Sequence, residues 1–130
     1  MKEKQKQQQQ TTVQQQEFRP LLIAVLTAPG NFSYEEKDMD VEVRNMSKSF
    51  YRLRRDREAW KNKLRAVLRE LKTEPVPQKI VVCVYPNWID AAMLVILTEF
   101  GPGAPVEVWT SRLTDNGAVF EPPIKDEVFS

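Results

Sequence analysis

The sequence predicts a single small α/β domain, with α+β as the alternative class, whose elements follow the order β-α-β-α-β-β. Three observations indicate this: two short continuous apolar runs, a long helical pattern of apolar and basic residues between them, and an Asn-Gly pair between two β-rich runs near the carboxyl terminus. The 130 residues, 42% of them apolar and 28% charged, have the composition of one globular domain. We place this domain at residues 19–123, between tails at residues 1–18 and 124–130.

The amino-terminal tail is rich in glutamine and holds almost no apolar side chains. It cannot bury enough surface to offset the entropy lost on ordering, so we expect a disordered tail or a solvated helix. Residues 21–27 then form the first apolar run, closed by a Pro-Gly pair, as in a strand covered on both faces. Residues 31–40 follow as an acidic loop, and the alternation of Met39, Val41 and Val43 with acids indicates a short edge strand or an extended lead into the helix.

Residues 44–72 are predicted to form one long amphipathic helix. Apolar side chains recur there at alternating steps of four and three residues, the spacing that lines one face of a helix. We call this row the helix seam, and its positions are Met46, Phe50, Leu53, Arg57, Trp60, Leu64, Val67 and Leu71. Prolines soon after Lys72 end the helix because they cannot continue its hydrogen bonds.

Arg57 is the exception within the seam, since a lone buried cation is costly unless it is paired. If the helix packed flat on its own sheet, Arg57 would need a carboxylate beneath it. In a helix-to-helix dimer it could instead reach Asp56 or Glu58 of the second copy. The strict spacing of the seam is also that of a two-stranded contact, so we expect a homodimer.

The second apolar run covers residues 79–85 and is rich in β-branched side chains, so we place it centrally, beside the first strand. A second helix follows, with Asn87 as its N-cap, Asp90 in its first turn and Gly101 as its stop. This helix is apolar almost all round. We therefore expect the sheet to cover one side and either the long helix or a second subunit to cover the rest.

Residues 114–117 contain the Asn-Gly pair and join strands at 105–113 and 118–122 into a hairpin. The resulting order of elements resembles that of Alba-type chromatin proteins, a resemblance that implies a dimeric nucleic-acid binder. Those proteins reach DNA through a basic hairpin, whereas Arg112 is the only cation in the hairpin of this chain, among acids at positions 107, 115 and 121. A nucleic-acid contact would therefore use the long helix.

Several kinds of chemistry have little support in the residues. The chain has no His, and Cys83, its one cysteine, falls in a predicted core strand, so we predict no metal site and no thiol nucleophile. Neither of the glycine-rich phosphate motifs, G-x-G-x-x-G and G-x-x-x-x-G-K-S/T, occurs. Asp90 follows a strand end, where α/β sheets bind ligands, but its charge suits a helix amino terminus. We predict no enzymatic activity, no cofactor and no small-molecule substrate.

The positive charge of the protein is concentrated in the long helix. Residues 44–72 hold eleven Lys and Arg, seven of them Arg, against three acids. Their net charge of +8 leaves −7 for the rest of a chain whose total is +1. A row of cations along a helix follows a sugar–phosphate backbone, and planar guanidinium groups suit phosphates and base stacking.

We therefore predict a nucleic-acid-binding protein without strong sequence preference and with a slight preference for single strands, because no helix-turn-helix or zinc module is visible. The predicted contact residues are Lys48, Arg52, Arg54, Arg55, Lys61, Arg65, Arg69 and Lys72, with the aromatic residues Tyr51, Trp88 and Trp109. The alternative is a protein-interaction module whose seam and basic face dock an acidic partner.

Two further expectations concern neutralisation and location. Residues 35–42 carry five acids, which could neutralise the basic face within the fold. No apolar stretch approaches the roughly 20 residues that a membrane span needs, and no signal peptide is apparent, so we expect a cytoplasmic protein.

Overall fold

The computed structural model describes residues 21–35, 38–73 and 77–122, and these form one small domain with a six-stranded mixed sheet. The strands are β1 (Leu21–Leu26), β2 (Asn31–Phe32), β3 (Asp40–Asn45), β4 (Lys79–Val84), β5 (Val106–Thr114) and β6 (Gly117–Glu121). The helices are α1 (Ser47–Tyr51), α2 (Arg57–Thr73) and α3 (Ile89–Phe100), and a 3-10 turn at Pro86–Trp88 precedes α3. The α/β class is confirmed, whereas the predicted tails lie outside the described residues.

The sheet has the order β2-β6-β5-β4-β1-β3, so β1 and β4 are neighbours at its centre, as the two apolar runs predict. β1 is parallel to both β3 and β4, and β4 is parallel to β5. β5 and β6 form the predicted antiparallel hairpin, and the short strand β2 lies parallel to β6 at one edge. Because β2 and β3 precede the first helix, the element order differs from the expected β-α-β-α-β-β.

The direction of each crossover decides which face of the sheet it covers. The connections from β3 to β4 and from β4 to β5 run in one direction across the sheet, and that from β1 to β3 runs in the other. Right-handed crossovers in opposite directions lie on opposite faces. The helices accordingly pack on one face, where they cover Ile23, Val25, Ile80 and Val82, and the segment after β1 packs on the other.

The helix seam is buried in the core of its own subunit. Five of its members are buried and pack against the sheet: Phe50, Trp60, Leu64, Val67 and Leu71. Met46 and Leu53 are partly buried beside them. Since these side chains already contact β1, β4 and α3, they do not offer an apolar face to a second subunit or to an acidic partner.

The predicted helix of residues 44–72 is divided in the structure. Its first residues belong to β3, and a turn at residues 52–56 separates α1 from α2. Side chains bind main-chain amides at both helix starts: Oδ1 of Asn45, one residue before the N-cap Met46 of α1, accepts from the main-chain nitrogen of Ser47 at 3.2 Å, and Oδ1 of Asp56 accepts from that of Ala59 in α2 at 3.1 Å. Asn and Asp favour these positions because they satisfy amide donors that the helix leaves unpaired.

α3 packs against the sheet and α2, and Gly101 ends it with a φ of 82°. The expectation that α3 is covered on nearly all sides is only partly met. Met93, Leu94 and Leu97 are 46%, 48% and 50% exposed, so one apolar side is open to solvent. No helix within the described ranges is both long and apolar enough to cross a membrane.

The second face of the sheet carries a smaller core. Side chains of β1, β4, β5 and β6 contribute Leu22, Ala24, Leu26, Val81, Cys83, Trp109 and Phe120. The segment after β1 covers them with Phe32, Tyr34 and Met39. The fold therefore has a helical layer on one side of the sheet and a loop layer on the other.

Candidate functional site

A crevice opens where the chain leaves the two central strands. After β1 the chain passes to the loop face of the sheet, and after the neighbouring strand β4 it passes to the helical face. In open α/β sheets, ligands bind outside the carboxyl ends of strands at such a divergence. The crevice has a volume of about 390 Å³, and its polar lining consists of Thr27, Tyr51, Arg54, Arg55, Tyr85 and Asn87.

The floor of the crevice is an aromatic stack. The rings of Trp60 and Trp88 are stacked with their centres 4.5 Å apart, and Phe50 meets Trp60 edge-on at 5.3 Å. Trp60 and Trp88 are only 2% and 8% exposed, so this floor is fixed by packing. Trp88, one of the predicted contact residues, therefore supports the floor of the crevice and exposes little surface to a ligand.

Arg57 is attached to this floor. Its guanidinium carbon lies 4.7 Å from the centre of the Trp88 ring, and its Nη2 donates to the main-chain oxygen of Asn87 at 3.2 Å. Arg57 is exposed at the start of α2 and so needs neither a carboxylate beneath it nor a second subunit. The argument for a dimer from its position in the seam therefore does not hold.

The walls of the crevice present arginine and tyrosine side chains to solvent. Tyr51 and Tyr85 are 55% and 39% exposed. The guanidinium of Arg54 lies 4.0 Å from the centre of the Tyr51 ring, and its Nη1 donates to the main-chain oxygen of Tyr51 at 3.0 Å. Within the described part of the chain, the exposed Arg55 side chain has neither a hydrogen bond nor an ion pair, so its donors are available to a ligand.

Thr27 fixes the relative position of the two strand ends beneath these walls. Its main-chain nitrogen and its hydroxyl both donate to the main-chain oxygen of Cys83, at 2.9 and 2.8 Å. Burial raises the pKa of the Cys83 thiol, which keeps it protonated. The crevice edge is therefore a rigid junction between β1 and β4.

Five cations lie in the crevice lining or on the segments that form it, and we call them the basic corner. Arg54 and Arg55 line the crevice, Arg57 contacts Trp88 of its floor, and Lys48 and Arg52 lie on α1 and in the turn after it. All five are exposed. The salt bridges among the described residues involve none of these five side chains. The nearby acid, Asp56, uses Oδ1 to cap α2. The basic corner thus keeps its positive charge available.

The remaining predicted cations lie along α2 and are engaged by other side chains. Arg69 makes a bidentate contact with Glu99 of α3, with distances of 2.8 to 3.1 Å. Lys72 donates to the main-chain oxygen of Glu99 at 2.6 Å, and Lys61 pairs with Glu58 at 2.6 Å. These pairs hold the pKa values of Glu99 and Glu58 below their ordinary range, chiefly through the hydrogen bonds from Arg69 and Lys61. Arg69 and Lys72 therefore join α2 to α3, whereas Lys61 is paired within α2.

Arg65 completes the row on α2, and its Nη1 donates to Oδ1 of Asn62 at 2.6 Å. In the described ranges, which omit 36–37, the acids of residues 35–42 form no salt bridge with the cations of α1, α2 or the turn between them. There, Glu42 pairs with Arg44 of the same strand at 2.7 Å. The charge of α2 is instead offset mainly by Glu58 and Glu99.

Trp109 lies apart from the basic corner. It is 3% exposed on the loop face of the sheet, where its ring stacks on Phe32 at 5.0 Å and its Nε1 donates to Glu107 at 3.2 Å. No face of this ring is open to stack on a base. Arg112 of the hairpin forms a bidentate pair with Glu121, at 2.8 and 2.6 Å, and so does not provide a basic hairpin arm.

The structure thus brings Tyr51, Arg54, Arg55 and Trp88 together at the crevice, with Lys48 and Arg52 on the adjoining surface. Among the polar lining residues it adds three outside the predicted set, which are Thr27, Tyr85 and Asn87. Thr27 and Tyr85 are the last residues of the two predicted central strands, and Asn87 lies two residues beyond the second, a signal that becomes usable only once the strand order is known. Comparison of the chain with protein-family models, curated proteins and solved structures finds no match.

Proposed function

We propose that this protein binds nucleic acid through the basic corner and the adjoining crevice, without strong sequence preference and with single strands ahead of duplex. The observation that supports this most directly is a cluster of exposed cations with no carboxylate partner in the described chain, next to exposed tyrosine rings. Such cations neutralise phosphates and release counterions on binding. Exposed aromatic rings stack on unpaired bases of any sequence.

The geometry of the basic corner favours single strands. Its cations lie on the short helix α1, on the turn at 52–56 and at the start of α2, so they do not follow one helix face that could enter a major groove. Tyr51 and Tyr85 line the crevice and are exposed, so their rings can stack on an unpaired base, whereas the bases of a duplex already stack on one another. The prediction therefore applies to strands with free bases.

Fluorescence anisotropy with labelled single-stranded and duplex oligonucleotides over a salt series tests this function. Arg52→Ala with Arg55→Ala removes two cations whose side chains have no partner among the described residues, so we expect the fold to persist. For each phosphate that is no longer neutralised, the salt slope for single strands should fall by about 0.7. The matched control, Arg69→Ala with Arg112→Ala, removes the same charge away from the corner and should leave most of the affinity.

Three outcomes contradict the proposal in different ways. No binding of either nucleic acid at about 50 mM salt overturns the function, because nonspecific binding is strongest at low salt. Equal losses of affinity in the two double variants would reject the basic corner as the contact surface. Competition by a poly-glutamate peptide as strong as that by an oligonucleotide of equal charge would favour an acidic protein as the partner.

We also propose a homodimer, but its interface cannot be the helix seam, because the seam is buried within one subunit. The open side of α3, with Met93, Leu94 and Leu97, is the apolar surface that a second copy of this chain could cover about a two-fold axis. Light scattering at tens of micromolar protein tests this directly. We expect a dimer that becomes monomeric in Leu94→Gln with Leu97→Gln, whereas a monomeric wild type would overturn the proposal.

A further inference from the structure

The crevice at the carboxyl ends of β1 and β4 has the form of a site for one small ligand. Its volume of about 390 Å³ falls within the range of roughly 300–1,000 Å³ that is usual for small-molecule sites. The aromatic floor of Trp60 and Trp88 closes it from below, and Pro29 after β1 and Tyr51 of α1 contribute to its walls. A groove that only held the backbone of a nucleic-acid strand would not need an aromatic floor.

The charge of the lining indicates an anionic ligand. Arg54 and Arg55 line the crevice, and no Asp or Glu does so among the described residues. The guanidinium of Arg54 is held in place by Tyr51, which leaves most of its donors free, and Arg55 has no described partner at all. Two planar guanidinium groups suit a terminal phosphate, whose charge of about −1.5 to −2 exceeds that of an internal phosphodiester.

The other polar residues of the lining suit a nucleoside. Tyr85 is 39% exposed as a residue and lines the crevice, so its ring is available to stack on a base. The side chain of Asn87 has no hydrogen bond in the described chain, and an amide provides both donors and an acceptor for a base edge. The lining thus combines groups for phosphate recognition and groups for base recognition within one crevice.

We propose that this crevice binds a single nucleoside monophosphate unit, with the phosphate on Arg54 and Arg55 and the base on Tyr85 and Asn87. The unit is the phosphorylated end of a bound strand, and in that respect the inference rests on the proposed function. A free nucleotide has the same chemistry and is the other source of such a unit. The basic corner then holds the phosphates that follow the terminal one.

Intrinsic tryptophan fluorescence provides the readout, because Trp60 and Trp88 form the floor of the crevice. The probes are single strands of one sequence with a phosphorylated end (5′ or 3′) or with hydroxyl ends, the same strand as a closed circle, free AMP, adenosine and inorganic phosphate. We expect one phosphorylated end to bind about tenfold more tightly than the hydroxyl-ended strand and the circle. Free AMP should compete, and adenosine and phosphate should compete less well.

The matched variants are Arg55→Gln and Arg52→Gln, which remove the same charge from neighbouring positions of one turn. Arg55 lines the crevice and Arg52 does not. Arg55→Gln should abolish the preference for the phosphorylated end. Arg52→Gln should weaken all strands alike and retain the preference. Tyr85→Leu should reduce the advantage of AMP over inorganic phosphate, and thermal unfolding confirms that each variant is folded.

The possible results separate this inference from the proposed function. Equal binding of circular, hydroxyl-ended and phosphorylated strands overturns the inference and leaves nucleic-acid binding intact. Binding of AMP without binding of any strand keeps the crevice site, assigns it to free nucleotide and overturns the proposed function. Binding of inorganic phosphate as tightly as AMP rejects a nucleoside site.

Discussion

The guanidinium carbon of Arg57 lies 4.7 Å from the centre of the Trp88 ring, although the chain between them forms α2 and β4. The same guanidinium donates to the main-chain oxygen of Asn87 at 3.2 Å. These contacts attach the start of α2 to the segment that follows β4. Arg57 therefore holds the crevice floor in position, whereas Arg52 and Arg55 beside it remain free for a ligand.

We expect Arg57→Ala to lower the free energy of unfolding by about 1–2 kcal/mol, since it removes a cation–π contact and a hydrogen bond from a charged donor. Urea denaturation followed by tryptophan fluorescence measures this change. Arg52→Ala is the matched control and should stay within about 0.5 kcal/mol of wild type, because Arg52 has no described side-chain partner. Equal effects of the two substitutions would show that the Trp88 contact does not stabilise the fold.

The contact of Glu99 with Arg69 predicts a pH dependence of stability. The pKa of Glu99 is lowered by the hydrogen bond from Arg69, with charge contributions from Arg69, Lys72 and Arg65. The unfolded chain therefore binds a proton at a higher pH than the folded protein does, and stability falls as pH falls through the folded pKa. This contribution is present at neutral pH and is lost below the ordinary glutamate pKa of about 4.3.

Glu99→Gln tests that dependence. We expect the variant to be less stable than wild type at pH 7, with a difference that shrinks as the pH falls below the ordinary glutamate range and the Glu99 carboxylate of the folded protein takes up a proton. Urea titrations at several pH values provide the comparison. Glu58 and Glu121, whose pKa values are also lowered, keep a residual pH dependence in both proteins. A difference that is the same at every pH would contradict the assignment.

Gly30 permits the segment after β1 to lie directly on the loop-face core. A Cβ at this position would lie 2.9 Å from Cε2 of Phe120 and 3.3 Å from the main-chain oxygen of Ala118. We expect Gly30→Ala to cost about 1–3 kcal/mol, because the buried Phe120 ring must shift. A double-mutant cycle with Phe120→Leu, measured by thermal unfolding, should return part of that cost. Strict additivity would show that the contact is not the cause.

The helix seam predicts contrasting effects for two leucines. Leu64 is buried between α2 and the sheet, so Leu64→Ala should lower the free energy of unfolding by about 2–5 kcal/mol. Leu94 is 48% exposed on α3, and Leu94→Ala should cost less than about 1 kcal/mol. Chemical denaturation measures both. If Leu64→Ala changed the free energy of unfolding only slightly and also changed the oligomeric state, the seam would be a subunit interface.

Residue patterns were sufficient for the elements whose signal is local. The continuous apolarity of residues 21–27 and 79–85 requires strands covered on both faces, and the structure places β1 and β4 at the sheet centre. The Asn-Gly pair predicts the hairpin of β5 and β6, and Gly117 at the end of the turn has a φ of 113°, a backbone that favours Gly. The sequence pattern did not reveal that the 44–72 helix is divided. Leu53 lies in the turn but packs against the core, so the seam spacing continues through the turn.

The sequence by itself determined the α/β class, the central strands, the hairpin and the concentration of positive charge in residues 44–72. The tertiary structure decided which of those cations are available. Glu99 lies thirty residues from Arg69 along the chain and yet engages it, whereas Arg55 has no partner among the described residues. Such pairings depend on the direction of each crossover, which places chain-distant residues together and which local periodicity does not encode. Because of the same crossovers, the chain leaves β1 and β4 toward opposite faces of the sheet, and the crevice lies where the two segments diverge.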